Sequence, residues 1–409
     1  MRSPVLEDRS IAAYDSATSP GQTQQLRTLA DGLADSRILH VNSTATGGGV
    51  AELLQSIVPL CSDLGVDTDW LVMDANEGFF EITKSLHNGL QGKETPLTDE
   101  MKATYRDVVE RNAGAIDDQY DVVVLHDPQA LGMVETLAET MPNAAVVWRC
   151  HIDLSDPSHE HLAFVSDYTE RVDHAVFSRS AYESEVSVRD SSVVYPSIDP
   201  LAPKNRDLDD ETITAECEQL PISFDAPLVA HVSRFDPWKD QFGTLEAYRR
   251  ISERIPDLQL ALVGGMAADD PEGREIYDRV AVEAADDPDV HLLADLPNTT
   301  MNVLQRRSDV VVQKSLREGF GLVVAEALWK RTPVVGSNVG GIPLQIVDGE
   351  NGYLVEPDSI EALAERTEAL LEDEEQRKSF GQNGREHVRE GFLLPRQVAD
   401  WLEVFVEFA

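Results

Sequence analysis

At 409 residues the chain exceeds one ordinary hydrophobic core, so two domains of about 100–200 residues each are expected. Its 74 Asp plus Glu stand against 34 Lys plus Arg, a formal net charge of −40. A surface this acidic repels phosphate backbones and anionic membranes, and no run of about 18 apolar residues occurs, which excludes nucleic-acid binding and membrane spanning as functions.

The opening segment MRSPVLEDRSIAAYDS carries acids and lacks an apolar stretch, so it does not read as a secretory leader. RILHVN (37–42) reads as a strand and ends at NSTATGGGVAEL (42–53), where helical spacing begins. Gly48 and Gly49 there permit close backbone approach, and the following amides favour an anion; a plain tight turn explains the glycines equally well. DTDWLVMD (67–74) is strand-like, and its Asp-x-Asp triplet opens the strand, the wrong end for a ligand site. Further strand-like runs are YDVVVLHD (120–127), AAVVWRCH (144–151), DHAVFSR (173–179) and SSVVYPS (191–197).

A second series runs through PLVAHVSRFD (227–236), LQLALVGG (258–265), DVHLLAD (289–295), SDVVVQKS (308–315) and TPVVGSN (332–338). Short β-rich runs alternating with helical segments predict βαβ units and parallel sheets, an α/β chain of two Rossmann-like halves facing a cleft. The polar, acid-rich stretch 201–224 separates the series. The expected layout is therefore 1–205, a linker over 206–221, and 222–392, with a final amphipathic helix over 393–409 that begins at about Pro395.

Three segments carry chemistry. HVSRFDPWKD (231–240) sets Arg234 and Lys239 just past a strand, where two cations suit a diphosphate; surface pairing with Asp236 and Asp240 is the bland alternative. QKSLREGFGLVVAEAL (313–328) turns from strand to helix at Gly319 and Gly321, and the helix amides near Leu322 favour a phosphate. Glu318 and Glu326 flank that position, and two carboxylates beside a phosphate make sense when each is occupied by hydroxyls, which points to a sugar and a ribose. WRCHIDLS (148–155) ends a strand with His151 and Asp153; a lone histidine is more often structural than catalytic. Three cysteines without CxxC spacing suggest reduced thiols in a cytoplasmic protein, and the acid excess suggests a high-salt interior, where the Debye length falls to about 3 Å at 1 M.

Arg234-x4-Lys239 followed by Glu318-x7-Glu326 resembles the signature of retaining GT-B glycosyltransferases of family four. The first half (HVNSTATGGGVAELLQSIVPL, FFEITKSLHNGLQG, VLHDPQ, WRCHIDLS, PSIDPLAPKN) and REGFGLVVAEALWKRTPVVGSNVGGIPLQIVDGENGYLV together resemble the trehalose-forming glycosyltransferring synthases of archaea and some bacteria. The resemblance implies transfer of glucose from ADP-glucose or UDP-glucose to free glucose. It assigns Arg234 and Lys239 to the donor diphosphate, Glu318 to the donor sugar's hydroxyls and Glu326 to the ribose. Around them, His151 is expected at the reacting sugar with Glu318, Arg234 and Lys239; Gly48, Gly49, Gly264, Gly319, Phe320, Gly321 and Leu322 at the sugar donor; and Asp153, His87, Asn88 and Gln91 at the acceptor. It further implies no obligatory cofactor or metal, with Mg²⁺ as an aid to the diphosphate, and allows a homodimer. The rival expectations are another small acceptor, such as fructose 6-phosphate, glycerol or glucose 6-phosphate, and a non-catalytic nucleotide-sugar-binding protein.

Overall fold

The computed structural model describes residues 1–18, 21–46, 49–183, 185–265 and 271–409, leaving aside the side chains of 271 and 272. The chain forms two compact units: Met1–Ser197 with Leu394–Ala409, and Ile198–Leu393.

The first unit holds strands β1 (Arg37–Asn42), β2 (Asp67–Val72), β3 (Val122–His126), β4 (Ala145–Arg149), β5 (His174–Phe177) and β6 (Ser191–Val193). They pair in parallel in the order β2-β1-β3-β4-β5-β6. The second unit holds β7 (Leu228–Val232), β8 (Gln259–Gly264), β9 (Val290–Ala294), β10 (Val310–Gln313), β11 (Val334–Ser337) and β12 (Gly352–Val355). These are also parallel, in the order β12-β11-β10-β7-β8-β9. Helices cover both faces of such sheets, which is why runs such as VVVLH, LVAHV and VVVQ are buried at every position.

Strand order reverses between β1 and β3 in the first unit and between β7 and β10 in the second. In open α/β sheets the crevice beyond the strands' carboxyl ends at such a reversal is where ligands bind. The segments after β7 and β10 contain Arg234, Lys239 and Glu318; those around β1 and β3 contain Gly49, His126 and, beyond neighbouring β4, His151.

The division of the chain differs from the expected one. Residues 198–221 were expected to end the first domain and form a linker; they are built into the second unit. Asn302 donates to the carbonyls of Pro203 and Arg206 at 3.0 and 2.8 Å, and Arg385 binds Asp207 at 3.1 Å. Asp209 caps the helix Asp210–Cys217, which packs on the helix Asn298–Arg307. Asp207 of this stretch is therefore the partner of the buried Arg385, where composition alone reads solvated spacer. The helix Leu394–Phe408 returns to the first unit, where Gln397 accepts from Ser197 at 2.7 Å and Arg396 donates to the Tyr195 carbonyl at 2.6 Å. Among the described residues no helix is long and apolar enough to cross a membrane.

Candidate functional site

The second unit gathers its charged groups at the β7/β10 reversal. Past β7, Asp236 caps a short turn by accepting from the Trp238 amide at 2.8 Å, which projects Lys239 back over the sheet end. Lys239 meets Glu318 at 2.5 Å, with side chains only 14% and 10% exposed. The same carboxylate oxygen, Oε2, accepts from Ser315 at 3.1 Å and Gln313 at 3.3 Å, so the end of β10 and the residues just past it orient Glu318. Arg234 stays mostly exposed and makes a loose 3.4 Å contact with Asp236. The bland alternative of surface pairing thus describes Arg234, but not Lys239. Asp240 is engaged elsewhere, holding the buried Lys314 and capping the helix Gln241–Ser252.

Glycine makes the Glu318 loop possible. Gly321 lies at φ +80° as the cap of the helix Leu322–Trp329, a conformation costly for any residue with a Cβ. Gly340 lies at φ +54°, and a Cβ there would stand 1.6 Å from the Glu318 carbonyl oxygen. Gln345 fastens the turn, donating to the Phe320 carbonyl at 2.7 Å and accepting from the Ala325 amide at 2.9 Å. Phe320 is buried, Gly319 accepts from the Gly341 amide at 3.2 Å, and Leu322 opens the helix whose N-terminal dipole points to this turn. Gly264 ends β8 in close approach to β7, where a Cβ would lie 2.2 Å from the Ser233 carbonyl oxygen.

Glu326 sits deeper than its sequence neighbours suggest. It is 3% exposed, with Lys204 at 2.9 Å on one oxygen and Gln305 at 3.2 Å on the other. Burial works against its ionisation, yet Lys204 and Lys330 outweigh burial and hold the carboxyl below its ordinary range. Burial draws the Lys330 ammonium down to about 7, against the attraction of Glu326.

In the first unit, His151 follows β4. Its amide donates to Asp127 Oδ1 at 2.7 Å, and its Nε2 meets His126 Nδ1 at 3.0 Å. Asp127 adopts φ 58°, and burial raises its carboxyl to about 7 despite the His151 amide. Asp153 is buried and accepts from both the amide and hydroxyl of Ser155 at 2.9 and 2.6 Å, closing its own loop. His87 and Asn88 lie on the last turn of the helix Glu77–Leu90, with Gln91 as its cap, against the helix His159–Thr169. Gly49 begins the helix after β1, and Gly48 lies outside the described residues. The Asp67 and Asp69 pair is bound by Arg37 at 3.1 and 3.3 Å at the opening end of the sheet. Among the described residues no group of three or more His, Cys, Asp or Glu could hold a metal ion.

Sequence reasoning missed Lys204, Lys314, Lys330, Gln305 and Gln345 in the second unit and His126 and His40 in the first. One signal was available. The chain has only 8 lysines, and a scarce ammonium in so acidic a sequence is worth placing.

Residues 40–184 match the family described as "Trehalose synthase, N-terminal domain", and residues 213–387 match "Glycosyl transferases group 1". The trehalose synthase of Thermococcus litoralis is 40% identical over 408 residues, covering 98% of each chain. Among solved structures, trehalose-6-phosphate synthase OtsA superposes with a TM-score of 0.74 at 14% identity, over 91% of this chain and 98% of that one. Anabaena Alr3699/HepE in complex with UDP-glucose gives a TM-score of 0.66 at 18% identity, over 91% and 99%. These superpositions show the GT-B fold of two Rossmann-like domains. Identity along its full length to a trehalose synthase, on that fold, shows that the chain belongs to the trehalose synthase family of glycosyl-transferring enzymes.

Proposed function

We propose that the protein transfers glucose from ADP-glucose or UDP-glucose to free glucose with retention, releasing α,α-trehalose and a nucleoside diphosphate. The observation that carries this reading is the Lys239–Glu318 pair at the β7/β10 reversal, with Arg234 exposed beside it. Two cations there suit a diphosphate leaving group, whose charge grows as the sugar bond breaks. The complex of Alr3699/HepE with UDP-glucose supports a nucleotide-sugar donor, and the full-length trehalose synthase relative supports the product.

In the proposed step the bond between glucose C1 and the β-phosphate oxygen breaks, and acceptor oxygen attacks the same face of C1. The acceptor's proton passes to the departing phosphate, so no protein nucleophile is required. Arg234 and Lys239 stabilise the diphosphate, Glu318 holds sugar hydroxyls while orienting Lys239, and His151 contacts the reacting sugar. Glu326, whose two oxygens face Lys204 and Gln305, acts on the ribose. Asp153, His87, Asn88 and Gln91 remain the acceptor candidates, with Asp153 acting through the loop it closes. Mg²⁺ would assist the diphosphate without being required.

Incubation with each nucleotide sugar plus glucose, read by anomeric NMR, tests this. The expected product has two equivalent α-anomeric carbons. A product formed only with fructose 6-phosphate, glycerol or glucose 6-phosphate would move the assignment to another acceptor. Tight donor binding without any sugar product would make the protein a nucleotide-sugar binder.

A further inference from the structure

A chain of three imidazoles runs through the first unit. His40 lies within β1, His126 ends β3 and His151 follows β4. His40 Nδ1 stands 3.0 Å from His126 Nε2, and His126 Nδ1 stands 3.0 Å from His151 Nε2. The rings of His126 and His151 lie edge to edge and nearly parallel, with centroids 5.4 Å apart and planes 14° apart. Burial lowers the pKa of His40 to about 3 and those of His126 and His151 well below the ordinary value, with Arg149 adding to the effect on the last two. At neutral pH each ring is therefore uncharged and carries one proton.

One proton per ring imposes a rule. Each contact needs an N–H on one side and a lone pair on the other. If His126 carries its proton on Nδ1, it donates to His151 Nε2, and His40 must donate from its own Nδ1. If His126 carries it on Nε2, both neighbours are forced to the Nε2 form as well. The three tautomers are locked into one register, and the far end of the chain selects which. Among the described residues His40 Nε2 is buried without a hydrogen-bond partner, beside Trp401 and Phe405 of the C-terminal helix at ring distances of 5.8 and 5.9 Å. A buried N–H with no acceptor is a rarer and costlier defect than an unused lone pair. The Nδ1 register leaves only a lone pair there.

We infer that His40 and His126 are positioning residues that hold His151 as its neutral Nδ1–H tautomer, so that this ring offers a hydrogen-bond donor to an oxygen of the hexose. The inference rests on the proposed contact between His151 and the reacting sugar. His151 Nδ1 makes no hydrogen bond among the described residues, and the Asp127 contact to its amide fixes where the ring stands. A neutral donor also suits the chemistry: it grips a sugar oxygen without placing a cation beside a carbon that becomes positively charged.

The register can be read directly. In the full chain labelled with ¹⁵N-histidine, long-range ¹H–¹⁵N correlations at pH 7 should show three neutral Nδ1–H rings, assigned by their loss in single His→Asn variants. An Nε2–H form or a charged ring at His151 overturns the inference. Function gives a second readout. His40→Asn keeps an N–H near the Nδ1 position, whereas His40→Leu removes it. His40→Asn should retain kcat within about twofold, and His40→Leu should lower kcat about tenfold at unchanged donor KM, with a mixture of His151 tautomers. Equal losses in both variants, or none in His40→Leu, would also overturn it. The wild-type spectrum decides the matter even if His40→Leu does not fold. A protein that transfers no glucose yet shows the Nδ1 register would sink the functional reading alone.

Discussion

The two sheet ends are built from different electrostatics. In the second unit the crevice is lined by ionic pairs: Lys239 with Glu318, Lys314 with Asp240, and Lys204 with Glu326. Four of the chain's 8 lysines lie in that neighbourhood once Lys330 is added. In the first unit the equivalent region holds neutral rings whose pKa values burial has pushed down, with the buried cation of Arg149 next to them. Burying charge is costly unless it is paired, so a fold keeps ionic groups inside where a ligand's own charge must be met. On the proposed reading, that difference matches a charged diphosphate to the second unit and an uncharged sugar to the first.

The largest test of that contrast is Glu318→Ala. It should lower kcat by about 10²–10³-fold while the fold survives, measured by steady-state turnover and thermal melting. Arg234→Ala follows, with kcat/KM for the nucleotide sugar reduced by about 30- to 1000-fold; near-normal turnover in both variants would remove the charged site from the chemistry. Gly340→Ala should cost about 3 kcal/mol in denaturant unfolding, since its Cβ would collide with the Glu318 carbonyl in a left-handed turn.

Acid should weaken the neutral rings of both units. His40 and His231 are depressed by burial to about 3, with Lys239 and Lys314 adding to the effect on His231. Between pH 3 and the ordinary value near 6.5 the unfolded chain binds these protons and the folded chain does not, so their contribution to stability is lost as pH falls. His231→Asn should flatten that part of the melting profile between pH 7 and 5, and an unchanged slope would show that His231 is not buried neutral. The smallest effect concerns the surface: raising KCl from low to molar concentration should lift the melting temperature by several degrees as acidic self-repulsion is screened. A fall would end the high-salt reading.

Much of the architecture was legible because parallel strands, buried on both faces, write continuous apolar runs such as VVVLH and VVVQ into the sequence. Arg234, Lys239 and Glu318 were legible for a related reason: each follows a strand and stands beside glycine or proline turns that mark a strand's end. Residues 198–221 were misjudged because Asp207, which binds both Arg306 and Arg385, looks the same in sequence as an acid facing water. Glu326 was placed beside a ligand by spacing, while its burial against Lys204 depends on a residue 122 positions earlier.

By itself the sequence determined the two parallel α/β units, eleven of their twelve strands in order along the chain (β12, Gly352–Val355, was missed), and a glycine-released turn between Glu318 and its helix. Period, turn residues and motif spacing are local properties, and they survive without a folded partner. Only the tertiary structure decided that Lys239 reaches Glu318, that Lys204 reaches Glu326, and that His40 and His126 stand behind His151. Those contacts join distant segments through the register of parallel strands, and the register is set by the burial of both sheet faces at once.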